Sequence, residues 1–207
     1  MAESFIEVTA GTGTKAHSNT RVIGANTVHD EVVIPGEPYL ASYTIVSELA
    51  ATSTLAVAND HLLQIMAGST LKVYIRRIEV IQYSVVTAAA FFLLRLHRLT
   101  TAGTGGTGVT PRPLDTTDAA AGTTAQVRPT SKGTEGVLVG GALPYTMQTL
   151  AASNAQMTPI YAWDFDRPRS KSLIIPAGTA NGIAVKNIST AAAGALVFQV
   201  WFDEANF

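Results

Sequence analysis

The clearest alternation of hydrophobic and polar positions runs through HLLQIMAGSTLKVYIRRIEVIQYS, residues 61–84. Leu71, Val73 and Ile75 share one parity, and Ile78 and Val80 share the other. Period-2 alternation marks a half-buried strand, and a change of phase inside it marks a bulge or a crossing between sheets, here with Arg76 and Arg77 at the switch. In AAAFFLLRLHRL, Phe92, Leu94 and Leu96 fall opposite Arg95 and His97. That predicts a second strand, paired with the first across the small residues Thr87 to Ala89. The end of the chain repeats the pattern: Leu196, Phe198, Val200 and Phe202 form one face, and Val197, Gln199, Trp201 and Asp203 the other. SLIIPAGTANGIAVKNIS reads as strand, Pro-Ala-Gly turn and strand, and SYTIVSE as a weaker strand. VLVGGALPYTMQTL continues the β pattern around a Gly-Gly break and a proline. AATSTLAVAND fits a helix or a loop and is left open. Pro35 and Pro38 bracket a turn and exclude a central strand there. Short strands divided by Gly, Pro and Asn turns predict an all-β protein, a jelly-roll-like antiparallel β-sandwich or a barrel.

Two regions escape the pattern. Residues 1–30 are polar and small, and read as an N-terminal arm with at most one short strand near Phe5 to Val8. Residues 31–207 read as one sandwich domain, interrupted by a long loop over residues 99–136. That loop, LTTAGTGGTGVTPRPLDTTDAAAGTTAQVRPTSKGTEG, has no hydrophobic period. Loops of this length are uncommon inside compact domains and tend to be functional or disordered. Its small residues offer no core of their own, so a neighbouring chain is the expected restraint. On this reading the segment is dispensable for folding and needed for assembly.

Composition changes the picture in one respect. Charged residues are 14% of the 207 and hydrophobic residues 47%, with a net charge of −1. A typical soluble domain carries about 25% charge, so the surface has to be covered by Thr, Ser, Asn and Gly or by other subunits, and low charge suits it to repeated subunit contact. No basic surface is available to release counterions from a nucleic acid, so no nucleic-acid partner is expected. The apolar run Tyr83 to Leu94 is shorter than the roughly 20 residues of a membrane helix, so no membrane partner is expected. The N-terminus MAESFIE lacks a basic n-region and an apolar h-region, and no secretory signal is expected. Cysteine is absent, which excludes disulfides and thiolate metal sites.

The candidate chemistry is thin. GTGGTG, residues 103–108, resembles a phosphate cradle, but Pro111 and Pro113 follow where a helix should start. His17, His29, His61 and His97 occur in no His-x-His or His-Glu-x-x-His spacing, although His29 and His61 neighbour carboxylates. Asp115 with Asp118, and Asp164 with Asp166, have the spacing of Ca²⁺ ligands without the rest of a loop, and local Asx turns fit better. No Gly-x-Ser-x-Gly elbow occurs. No catalytic residue, metal ligand or cofactor is therefore assigned, and an enzyme is not expected. Arg167, Arg169 and Lys171 concentrate charge in one loop, and Lys15 and Arg21 in the arm. Each set is either a solvated surface or an electrostatic contact with a partner. Trp163 with Tyr161 is the one aromatic pair suited to a sugar.

TVHDEVVIPGEPYLASYTIVSE, NDHLLQIMAGSTLKVYIRRIEV and SLIIPAGTANGIAVKNISTAAAGALVFQVWFDE resemble strand-and-turn blocks of jelly-roll structural proteins from tailed bacteriophages and prophages. The resemblance covers most of the chain outside the arm and residues 99–136, and rests on strand and turn patterns. It implies a capsid decoration or cement protein made in the host cytoplasm and placed on the phage head surface. The implied partners are further copies of the chain, in a homo-oligomer expected to be a trimer, and the major capsid protein or other virion proteins. It transfers no site residues. A receptor- or glycan-binding module of a fibre or tail is the alternative.

Overall fold

A computed structural model describes residues 18–23, 26–31, 40–48, 59–82, 91–139, 145–148, 158–166, 172–188 and 196–206. The chain divides into two units, residues 1–39 and 40–207. In the first, β1 (Ser18–Ile23) and β2 (Asn26–Glu31) form an antiparallel hairpin running from Ser18 opposite Glu31 to Ile23 opposite Asn26. The sequence reading placed its one arm strand at Phe5 to Val8, which lies outside the described residues, and did not foresee this hairpin. Its signal is the density of β-branched residues Thr20, Val22, Ile23, Thr27 and Val28 on either side of Gly24.

The second unit is an antiparallel β-sandwich, with no helix among the described residues. Its strands are β3 (Ala41–Glu48), β4 (His61–Met66), β5 (Lys72–Gln82), β6 (Phe91–Leu99), β7 (Thr107–Val109), β8 (Arg112–Pro113), β9 (Thr124–Val127), β10 (Glu135–Leu138), β11 (Tyr145–Gln148), β12 (Thr158–Asp164), β13 (Leu173–Ile175), β14 (Gly182–Asn187) and β15 (Leu196–Ala205). One sheet has the order β12-β5-β15-β3-β8, with β13 also on β5. The other has the order β10-β6-β14-β4-β9-β7, with β11 also on β6. Ile45, Ile75, Ile78, Val80, Phe198, Val200 and Phe202 of the first sheet share one core with Leu63, Ile65, Leu94, Leu96, Ile183 and Val185 of the second. Interdigitating inner faces of this kind hold a sandwich together.

The strong periodicities became the elements they predicted. On β15, Leu196, Phe198, Val200 and Phe202 are all buried. On β5 the phase change is a bulge: Trp201 opposes Arg77 and Phe202 opposes Ile75, which leaves Arg76 as the extra residue. Arg76 then lies beside Asp203 (Nε to Oδ2, 2.5 Å) and Asp166 (Nη1 to Oδ1, 3.0 Å), while Ser42 Oγ donates to Asp203 Oδ1 at 2.7 Å.

Two expectations fail. β6 does not pair with β5. It lies in the opposite sheet between β14 and the pair β10 and β11. Periodicity reports which face of a strand is buried and carries no information about which sheet it joins. The second failure is residues 99–136, which hold three strands, β7 to β9, and the start of β10 instead of a free loop. β9 pairs with β4 from Leu63 opposite Val127 to Met66 opposite Thr124, and β7 pairs with β9. β8 pairs with β3 in the other sheet. Ala125 and Val127 enter the core. The buried Glu204 carboxylate accepts from Gly122 N at 3.0 Å and from Thr123 N at 2.7 Å, and Tyr43 Oη donates to Ala119 O at 2.9 Å. The insertion thus widens both sheets, at β3 and at β4, and its restraint is this chain's own backbone. Strands of two to four residues are too short to show a period, and ladder hydrogen bonds need no particular side chain.

Candidate functional site

After β6 the chain turns across the outer face of the second sheet over residues 100–106, and it returns over residues 128–134. The two passes are stitched together. Thr104 N donates to Ser131 O at 2.9 Å and Ser131 N to Thr104 O at 3.1 Å. Thr134 N donates to Thr101 Oγ1 at 2.8 Å. They form a strap, and beneath it lies the most connected polar cluster among the described residues.

The cluster begins with an irregularity in β4. His61 opposes Lys186 and Leu63 opposes Val185, so Leu62 is an extra residue, and Leu62 and Leu63 both enter the core. This bulge puts His61 and Gln64 on one face although they are three residues apart, a spacing that a regular strand would place on opposite faces. Both are fully buried. Gln64 Oε1 accepts from Gly103 N at 2.8 Å and from Gln126 Nε2 at 3.1 Å. Its Nε2 therefore donates, and it does so to His61 Nδ1 at 2.5 Å. His61 must then carry its proton on Nε2, which faces Glu135 Oε1 at 3.0 Å. The other Glu135 oxygen accepts from Lys186 Nζ at 2.8 Å and lies 3.4 Å from His97 Nδ1. Among the described residues no group hydrogen-bonds to either ring nitrogen of His97 or to Arg95 Nε, and all three atoms are buried.

Gly103 is required at the contact. A Cβ there would stand 2.6 Å from Ser131 O and 2.8 Å from Gln64 Oε1. Burial pushes His61 below the ordinary histidine value, helped by the positive charges of Lys132 and Lys186 and opposed by Glu135. Burial does the same to His97, with Lys186, His61 and Arg95 adding to it and Glu135 opposing. Burial alone would raise Glu135. The hydrogen bonds from Lys186 and His61 and the nearby positive charges outweigh it and hold the carboxyl below the usual range. Both histidines are neutral at pH 7 beside an ionised Glu135. The cluster can pass a hydrogen-bond polarity from Glu135 to Gly103. Both ring nitrogens of His61 are engaged in that chain, by Gln64 and Glu135.

The residues singled out from the sequence meet mixed outcomes. His61 and His97 are brought together by Glu135, a convergence the spacing did not show, since it depends on a bulge and on the return of the strap. His17 lies outside the described residues, and His29 is in β2. No group of three or more His, Asp or Glu among the described residues is placed to hold a metal ion. Asp115 Oδ1 accepts from Thr117 N at 2.9 Å and Asp164 Oδ1 from Asp166 N at 3.0 Å, which are the Asx turns expected there. GTGGTG leads into β7, with Gly103 N committed to Gln64. Trp163, the centre of the expected aromatic pair, is buried in the core with Tyr161 edge-on at 4.9 Å, so this pair offers no sugar platform. The outward tryptophan is Trp201, with the Arg77 guanidinium 5.6 Å from its ring centre and Glu79 paired to Arg77 at 3.1 Å. Lys15, Arg167, Arg169 and Lys171 lie outside the described residues. Arg21 falls on β1, and its side chain is outside them too.

No protein-family model, curated protein or solved structure matches this chain.

Proposed function

We propose that the chain is a structural virion protein of a tailed phage or prophage, a decoration or cement protein that oligomerises on the capsid surface. The observation that carries this reading is the wiring of the sandwich. Take β3, β4, β5, β6, β11, β12, β14 and β15 as strands one to eight. One sheet then runs 6-3-8-1 and the other 5-4-7-2. With β7 to β10 and β13 set aside as additions, we read this order as that of a jelly roll, an architecture used by viral capsid and lectin domains. Fold alone does not assign a function, so the resemblance of the strand-and-turn blocks supplies the rest. The polar clusters fit the reading. Glu204, Asp203, Gln64 and His61 are spent on bracing strands and strap.

The lectin branch of the same architecture gives the second reading, a receptor- or glycan-binding module. It rests on Trp201 and Arg77, now that Trp163 is assigned to the core. Co-sedimentation with purified capsids, alongside a glycan array, separates the two. The decoration reading expects saturable capsid binding and an empty array. Glycan binding that is lost in Trp201→Ala, with no capsid binding, overturns it.

A further inference from the structure

The strap is held to the sheet by a hydrogen-bond chain with only one consistent polarity. Gly103 N and Gln126 Nε2 both donate to Gln64 Oε1, which turns the Gln64 NH₂ toward His61 Nδ1, and His61 Nε2 then faces Glu135. Every link depends on His61 Nδ1 being a bare acceptor. We propose that His61 and Gln64 form a proton-operated latch: a proton taken up at His61 Nδ1 forces the Gln64 amide to turn over, which withdraws the oxygen that holds Gly103 and releases the strap.

The steps follow from donor and acceptor counts. Protonated Nδ1 is a donor facing the Gln64 NH₂, another donor, at 2.5 Å. Rotating the amide offers Oε1 to His61 and turns NH₂ toward Gly103 N and Gln126 Nε2. Two accepted hydrogen bonds become two donor–donor contacts in a buried site, and buried donors without acceptors are costly. A Cβ at Gly103 would meet Gln64 Oε1 at 2.8 Å and Gln64 Nε2 at 2.9 Å, so the Gly103 backbone already packs closely on the Gln64 amide. The relief is outward motion of residues 100–106 together with the stitched return pass, which also gives up the bonds from Gln126 Nε2 to Gly103 O (2.6 Å) and from Lys132 Nζ to Asn59 O (2.8 Å). The charges around the ring oppose protonation in the closed state. Among the described residues, Lys186 of β14 and Lys132 of the strap are the cations acting on the ring and Glu135 of β10 is the carboxylate facing it, while neutral His97 of β6 lies across Glu135 with the Arg95 charge acting on it in turn. Opening the strap admits water to these groups, so proton uptake and release of the strap are coupled.

The test is hydrogen exchange of the full chain by NMR, corrected for intrinsic rates, across about pH 7.5 to 5. Protection at Gly103, Thr104 and Ser131 should fall by up to about tenfold per pH unit through the transition. Amides of the β5–β15 ladder, which open only with the whole fold, should follow the global stability alone and stay more protected than the strap at every pH. His61→Gln can still donate to Glu135 and accept from Gln64 without titrating, and should flatten the response. If that variant does not fold, the wild-type imidazole spectrum decides. It should show the proton on Nε2 at neutral pH, and the Gly103 amide shift should follow the ring titration. A ring protonated on Nδ1 at neutral pH overturns the latch. So does strap protection that is indifferent to pH, or an acid response retained in His61→Gln.

Discussion

Phe198 and His61 are both fully buried, and their energetics differ in kind. Phe198 sits near the start of β15, opposite Val80 and in one core with Val200 and the residues of the facing sheet. Truncating it removes dispersion contacts and leaves a cavity, so Phe198→Ala should cost about 3–5 kcal/mol, read as a lowered urea midpoint at unchanged slope. A variant within about 0.5 kcal/mol of wild type would mean that the site is not core. His61 contributes through its protonation state. His61 and His97 lie below their ordinary value of 6.5 because burial disfavours the cation. The folded chain therefore binds fewer protons than the unfolded chain just below that pH. Stability that is complete above about pH 6.5 is lost as pH falls toward the folded values. Glu135 acts in the same direction at lower pH. Its folded value lies below the ordinary 4.5, so its contribution is present above that value and disappears as pH falls through the folded one. The urea midpoint should drop between about pH 7 and pH 5 and drop further below pH 4.5. A midpoint that rises on acidification would contradict these assignments.

At the scale of elements, legibility in the sequence tracked the length of the periodic run. Ten residues of β15 and eleven of β5 carry enough alternation to show their buried faces, and even the bulge at Arg76 is visible as a change of parity. The bulge at Leu62 is not visible, because the three residues that follow His61 are all bulky or amphipathic and conceal the break. Without it His61 and Gln64 fall on opposite faces, so the polar cluster could not be assembled from spacing. β7, β8 and β9 were invisible for another reason. They contribute backbone to the ladders and few side chains to the core, Ala125 and Val127 being the buried pair. The consequence reverses the expectation from sequence. Replacing residues 103–131 by a short Gly-Ser linker would strip β9 from the edge of β4, expose Leu63 and Ile65 beside it, and leave Glu204 buried without its donors Gly122 and Thr123. An unpaired buried carboxylate and an uncovered core strand are each strongly destabilising. The deletion should therefore give an aggregated or unfolded chain by circular dichroism and gel filtration. A soluble protein with the wild-type melting temperature would restore the reading of a dispensable loop.

For the whole molecule, the low charge and the strand order of the sandwich bear on the same question. A chain with 14% charged residues and a net charge of −1 has weak long-range steering, so assembly has to rely on fitted surface. Light scattering should give a closed oligomer, expected to be a trimer, with a mass that does not respond to moderate salt, because exposed ion pairs contribute at most about 1 kcal/mol each. The central claim is that this sandwich is a virion part, and the most direct measurement is its copy number in the particle. On the proposed reading, virions released from the host that carries the gene would be purified on a density gradient, and the chain quantified by mass spectrometry against the major capsid protein. The account predicts that the chain is present at a fixed ratio to the capsid protein, in DNA-free heads as well as in complete particles. Absence from purified heads, with the chain recovered only free in the lysate or only on tails, would contradict it.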